Sequence, residues 1–358
     1  MPDFNMNDIR AAVAANILSE AQASRLQVFA ESRLGFRDHM QVDDEPFELF
    51  KGFAEIFVTV GLGMLFSGGL IWLMAAQGNI FVSLIGAAIS FAMAFYFTLK
   101  RRMNLPSIFL AIVFAGNIGA FFFVLFFDPV NPSEYDFLYT ALIGMVAMAI
   151  WFKIFKLPFS MFLFGLYGAV VALAIAAIMS PNVLDVFELR QGIFDLNNAS
   201  YFPMATMVFG VLVFILAMYF DTKDPHRVSR FAASGFWLHV LAAVAIVNTV
   251  GLTLFNTGGA LGYTLTSLAL LAISIIALII DRRSFLTAGI LYMGFLIYAA
   301  FEGSTGGGDE FAAIATFLTI GVFITVLGTW WAQIRAKIMH RLPDFPLKKR
   351  LPPYTETT

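Results

Sequence analysis

The chain has 358 residues, of which 59% are hydrophobic and only 13% charged, against roughly 25% charged in an ordinary soluble domain. Its polar groups are too few to cover the apolar surface in water, so most of it needs lipid as its solvent. The net charge of −2 and the absence of cysteine exclude the clustered positive excess that a nucleic-acid partner requires, as well as disulfides, thiolate nucleophiles, iron–sulfur clusters and cysteine zinc sites.

Residues 1–50 are polar and lack the basic start, apolar core and small-residue site of a cleavable signal. They predict a cytoplasmic helical hairpin. Ile9, Val13 and Ile17 stand four apart, Leu26, Phe29 and Ala30 cluster on a second helix, and Ser19 with Gln22 forms a capping box between them. The run Val42-Asp43-Asp44-Glu45-Pro46 breaks the chain before the membrane.

From residue 51 to 334 apolar segments long enough to cross about 30 Å of hydrocarbon follow almost without pause. They are placed near 53–76, 79–99, 105–127, 137–155, 159–180, 201–220, 234–255, 261–280, 285–301 and 311–334. The pair flanking Lys156-Leu157-Pro158 can also be read as one kinked element, but its combined length favours two spans. The predicted fold is therefore an all-α, polytopic transmembrane bundle of about ten spans.

Charge fixes the orientation, because Lys and Arg are retained on the cytoplasmic side of short loops. With the amino terminus inside, 21 of the 22 basic residues fall in cytoplasmic segments, and only Arg190 lies outside. The opposite links hold Asp128, Glu134, Asp136, Asp185, Glu188, Asp195, Glu302, Asp309 and Glu310. Both termini are then cytoplasmic. Residues 335–358 form a basic tail behind Trp330 and Trp331, suited to contact with anionic membrane lipids. Three inner links open alike, after Phe-Tyr-Phe-Thr-Leu-Lys (95–100), Met-Tyr-Phe-Asp (218–221) and Leu-Ile-Ile-Asp (278–281). That is a weak repeat, which any basic turn between lipid-facing helices would also give.

Ionisable groups inside the bilayer mark ion paths, and few stand out in this chain. Glu55 and Glu302 read as interfacial carboxylates at the ends of the first and ninth spans. His239, inside the seventh span, reads as a packed residue with a proton relay or ligand contact as the alternative. Asn117 and Asn248 are mid-span amides that can tie helices together or line a polar cavity. Glycines in the first and fifth spans, among them Gly61, Gly68, Gly69 and Gly165, suit close helix packing. The outer link 181–200 suits an interfacial helix that caps or lids the bundle. No serine–histidine pair, paired mid-depth aspartates or His-Glu-x-x-His is present, so an enzyme is disfavoured and no metal or cofactor is expected.

The hairpin Ile17-Leu18-Ser19-Glu20-Ala21-Gln22 before a run of spans resembles bacterial families known only as predicted membrane proteins. The resemblance implies a bacterial cytoplasmic membrane and brings no activity or functional residue. Two functions remain open. The first is a transporter or permease for an uncharged or lipid-like solute without ion coupling. The second is a non-catalytic scaffold or assembly factor that meets a protein partner through the hairpin or the basic tail.

Overall fold

A computed structural model describes residues 6–18, 52–77, 80–180, 192–198, 200–225, 227, 230–285, 309–352 and 354, with isolated positions 22, 23, 26, 30 and 294. Among the described residues there are helices and turns and no strand. In chain order the helices are α1 (Met6–Ala14), α2 (Phe53–Gln77), α3 (Phe81–Ala94), α4 (Asn104–Phe126), α5 (Glu134–Phe155), α6 (Ser160–Met179), α7 (Phe202–Lys223), α8 (Arg230–Phe255), α9 (Gly259–Ile280) and α10 (Asp309–Arg341). A π-helical turn, Phe95–Lys100, prolongs α3, and a 3₁₀ turn, Lys348–Arg350, closes the described tail.

Among the described residues eight helices, α2 to α9, with α3 counted together with its π-helical turn, are long and apolar enough to cross a membrane. They turn large apolar side chains outward: Phe57, Met64 and Trp72 on α2, Val124 on α4, Val146 on α5, Leu212 and Ile215 on α7, and Leu268 and Leu271 on α9 are all exposed. Only lipid makes such a surface tolerable at this density. The multi-pass membrane reading follows from this.

Local chemistry sets several boundaries. The Ser133 hydroxyl accepts from the Tyr135 amide, and Asp136 accepts from the Ser133 amide, a reciprocal cap that opens α5. Lys156 takes a left-handed conformation (φ 52°) and closes it, and Pro158 cannot continue a helix through the turn. The segment 137–180 is therefore two helices packed against one another, not one kinked element. α1 ends at Ala14, before Ile17, which is 74% exposed; the chain turns at Asn16 (φ 57°), so Ile17 leaves the predicted apolar face. The second hairpin helix, the ninth predicted span and most of the link 181–200 lie outside the described residues, apart from the isolated positions given above.

Successive helices pack as neighbours, with the α3–α4, α5–α6 and α7–α8 pairs closest. Two apolar cores result. One, built by α2 to α6, centres on Leu110, Met148, Trp151 and Phe155. The other, built by α7 to α10 with Met161, centres on Leu238, Ala242, Val247, Ala277 and Met339. Trp237 of α8 joins them, with its ring 4.8 Å from Phe159 and 5.5 Å from Phe162. α8 is the most enclosed element: half of its apolar stretch is buried (50%), against 11% for α2.

Glycine packing divides between the two ends of the bundle. A Cβ on Gly165 would lie 2.4 Å from a Leu241 methyl, so α6 and α8 need that glycine. Gly61, Gly68 and Gly69 have no atom of the described residues within 4 Å of a would-be Cβ, so they take no part in close packing among the described helices.

Candidate functional site

α7 runs to Lys223, three residues beyond the span expected at 201–220, and this places Asp221 on the helix instead of in a solvated link. Its carboxylate lies under α8 at Gly235, where a Cβ would stand 2.3 Å from Asp221 Oδ1. One turn further along α8, His239 Nε2 is 2.8 Å from Asp221 Oδ2. The His239 ring is fully buried between Phe214 and Phe285, at centroid distances of 5.5 and 5.9 Å.

The third member arrives from the end of α9. Asp281 caps that helix in the left-handed conformation (φ 59°), which aspartate tolerates better than most residues. The chain then reverses, and Arg282 turns inward, 1% exposed. Its Nε donates to Asp221 Oδ2 at 2.9 Å, one Nη donates to Oδ1, and the same Nη reaches the Ala232 carbonyl at 3.0 Å. A two-point guanidinium pair of this kind holds the carboxylate ionised. Because an ionised carboxylate only accepts, Nε2 of His239 carries the hydrogen between them. Nδ1 then presents a lone pair, and this buried atom has no hydrogen-bond partner among the described residues.

Asp281 anchors a second group of charges beside the first. Arg227 from the α7–α8 link pairs with its carboxylate at 3.1 Å and donates to its carbonyl. Trp331 Nε1, just past the bend of α10 at Trp330, donates to Oδ1 at 2.6 Å, and Arg335 stands 3.7 Å from the same oxygen. Burial works to raise the Asp281 carboxyl, but Arg227 and Arg335, with the Trp331 N–H, hold it below the ordinary carboxylate value. Arg335 also donates to the carbonyls of Leu278 and Pro352, so the ends of α9 and α10 and the tail share one face. The tail's Leu351 is buried there.

The other predicted polar residues are not part of this network. Asn117 donates to the Val113 carbonyl of its own helix and packs its oxygen against Gly86 at the α3–α4 contact. Asn248 donates to the Val244 carbonyl, again within its own helix. Glu55 is buried, and its carboxylate accepts from the Asn104 and Leu105 amides at 3.1 and 3.0 Å. It therefore caps α4, where an anion complements the positive end of the helix dipole. Glu302 lies outside the described residues.

Sequence reasoning found His239 and missed its partners. Asp221, Arg227, Asp281, Arg282 and Arg335 all count as link or tail charges when the chain is read in one dimension. A signal was present: Asp221, Asp224 and Asp281 are acids in the otherwise basic links between spans, each next to the end of an apolar run. At the opposite end of α8, Asp195 accepts from Asn256 at 2.7 Å, while Asn197 donates to the Thr253 carbonyl. The described part of the link 181–200 is thus pinned onto that helix end. No groups of acidic or histidine side chains that could hold a metal occur among the described residues. Set against known protein families, curated proteins and solved structures, the chain matches none of them.

Proposed function

We propose that the chain is a transporter or permease for an uncharged or lipid-like solute, seated as about ten spans in a bacterial inner membrane with both termini in the cytoplasm. The observation that carries this reading is the Asp221–Arg282–His239 network, which fastens α7, α8 and the end of α9 together at the basic face. Buried charge is expensive in a bilayer, and apolar packing of the same volume would hold three helices at least as well. A reversible closure does need groups that water can re-solvate when the helices part. The pinned turn at Asp195 supplies the matching closure on the far side of α8.

The span count is supported by shared faces. The starts of α2 and α4 meet through Glu55, as two crossings require. The ends of α9 and α10 meet through Asp281 and Arg335, which fits two further crossings at 285–301 and 311–334. Reporter fusions at each terminus, one active only in the cytoplasm and one only outside it, should both report the inside.

Transport is tested in proteoliposomes carrying the full chain, with glycerol, erythritol, urea and a fluorescent short-chain phosphatidylethanolamine as probes. Flux of at least one probe, abolished by Asp221→Asn, is the expected result. No flux across the panel, together with recovery of a stable protein partner after crosslinking, would favour the scaffold reading instead. Of the tail, Leu351 and the Pro352 carbonyl are engaged within the chain, while Arg341, Asp344, Leu347 and Arg350 stay exposed to a partner.

A further inference from the structure

We propose that Nδ1 of His239 is a proton-binding site whose occupation releases the Asp221–Arg282 tie, so that movement of the solute is coupled to a proton. The inference rests on the transport reading above and adds a coupling proton, where the sequence offered a proton relay at His239 only as the alternative to packing and pointed to transport without obvious ion coupling.

Three observations carry it. Nδ1 is a buried lone pair without a hydrogen-bond partner among the described residues, so an added proton displaces no bond to any of them. His239 lies nine residues into α8, roughly 14 Å along the helix axis, fully buried and bonded to the Asp221 carboxylate that Arg282 holds. The charge around it is balanced. Three buried carboxylates, Asp221, Asp224 and Asp281, stand with three guanidinium groups, Arg227, Arg282 and Arg335, each buried or nearly so.

Each element around His239 contributes to that balance. α7 presents Asp221 with Asp224 behind it, the end of α9 presents Asp281 and Arg282, the α7–α8 link presents Arg227, and α10 presents Arg335. Lys223, Arg230 and Arg283 are exposed at the rim. α6 adds only Tyr167, which donates to the Ala115 carbonyl in the other core.

When a proton arrives, a hydronium ion gives up one O–H bond, the Nδ1 lone pair forms an N–H bond, and water remains. The network then holds one positive charge in excess, with a new buried N–H donor that has no acceptor among the described residues. Two cations, imidazolium and guanidinium, now compete for the single Asp221 carboxylate. The strain is relieved when Arg282 leaves for the aqueous face and water enters to solvate both groups.

Imidazole-¹⁵N histidine incorporated into the full chain in lipid bilayers reads the site directly. His239 is isolated by replacing His39, His226 and His340 with Gln, and it is assigned a second time as the resonance missing from H239Q. Nδ1 should change from a bare to a protonated nitrogen between about pH 8 and 5. A single cysteine at Ala242, a buried position one turn deeper on α8, should then become labelled from the basic side. Its rate, divided by that of a cysteine at the exposed Leu347 to remove thiol chemistry, should rise about tenfold in the acid range. H239Q should abolish the rise.

An Nδ1 that stays unprotonated to pH 5, one protonated throughout, or labelling indifferent to pH or to H239Q would each overturn the proposal. Flux with a pH-silent His239 sinks the proton site and leaves transport standing. A titrating, opening chain that moves no probe sinks transport and the coupling with it, and leaves the proton site and its release of the tie standing.

Discussion

The two halves of the bundle hold themselves together by different physics. In α2 to α6 the contacts are aromatic and dry: the Trp151 ring lies 4.5 Å from Phe155, 4.8 Å from Phe114 and 5.8 Å from Phe91, and Tyr167 lies across Gly119 and Gly144. In α7 to α10 a comparable apolar core is closed at its basic end by two joined charge networks. Aromatic packing in lipid gains little from rearranging, because every alternative leaves a void. Charge networks near the interface can exchange partners with water. On the transport reading proposed above, the amino half would be the frame and the carboxyl half the moving part.

The largest expected effects separate the two mechanisms. Arg282→Met leaves Asp221 buried without its guanidinium partner and should destabilise the protein by about 3–5 kcal/mol, read as loss of thermal stability in detergent micelles. The double replacement Asp221→Leu with Arg282→Met should recover most of that loss while remaining inactive in flux. Trp151→Ala should cost a similar amount, about 3–5 kcal/mol, with no polar second change able to restore it. Equal rescue in both halves would erase the contrast.

A smaller effect is expected at Gly144→Ala. The added Cβ would lie 2.3 Å from the Tyr167 ring, so the ring must move and its hydroxyl gives up the bond to the Ala115 carbonyl. The cost should be about 1–3 kcal/mol, the same at pH 5 and pH 8. By contrast, Asp281 should make the carboxyl half sensitive to acid. Its folded pKa lies below the unfolded one, so its contribution is complete above about pH 5 and disappears as pH falls through the folded value. Melting curves from pH 7 down to 3 should show that loss in the wild-type protein and a flatter profile in Asp281→Asn. The smallest change is Glu55→Ala, which removes the cap of α4 and should cost about 1 kcal/mol, independent of the carboxyl-half variants in a double-mutant comparison.

Part of the site was legible in the chain. Glu55 stood out as a carboxylate one turn into the first span, and its capping of α4 needed only the knowledge that Asn104 lies beside it. His239 stood out because a histidine inside an apolar run is rare. Asn117 and Asn248 stood out equally, yet each bonds the carbonyl four residues back in its own helix, and their spacing gave no sign of this. The three inner links that looked alike at Lys100, Asp221 and Asp281 end in different structures: a π-helical turn, a continuing α-helix and a left-handed cap. Two of those three are nonetheless the acids on which the networks turn.

Composition determined that this protein lives in lipid and does so as helices, because a bilayer satisfies no backbone group from outside and only a helix satisfies its own segment by segment. The alternation of basic and acidic links set the expected faces, since charge is sorted as the chain inserts and before it packs. Tertiary structure alone decided that Asp221 should meet His239, 18 residues away, and Arg282, 61 residues away. Those meetings depend on where α7 ends, on the bare backbone at Gly235 and on one left-handed residue at Asp281, and the periodicity of an apolar run carries no information about any of the three.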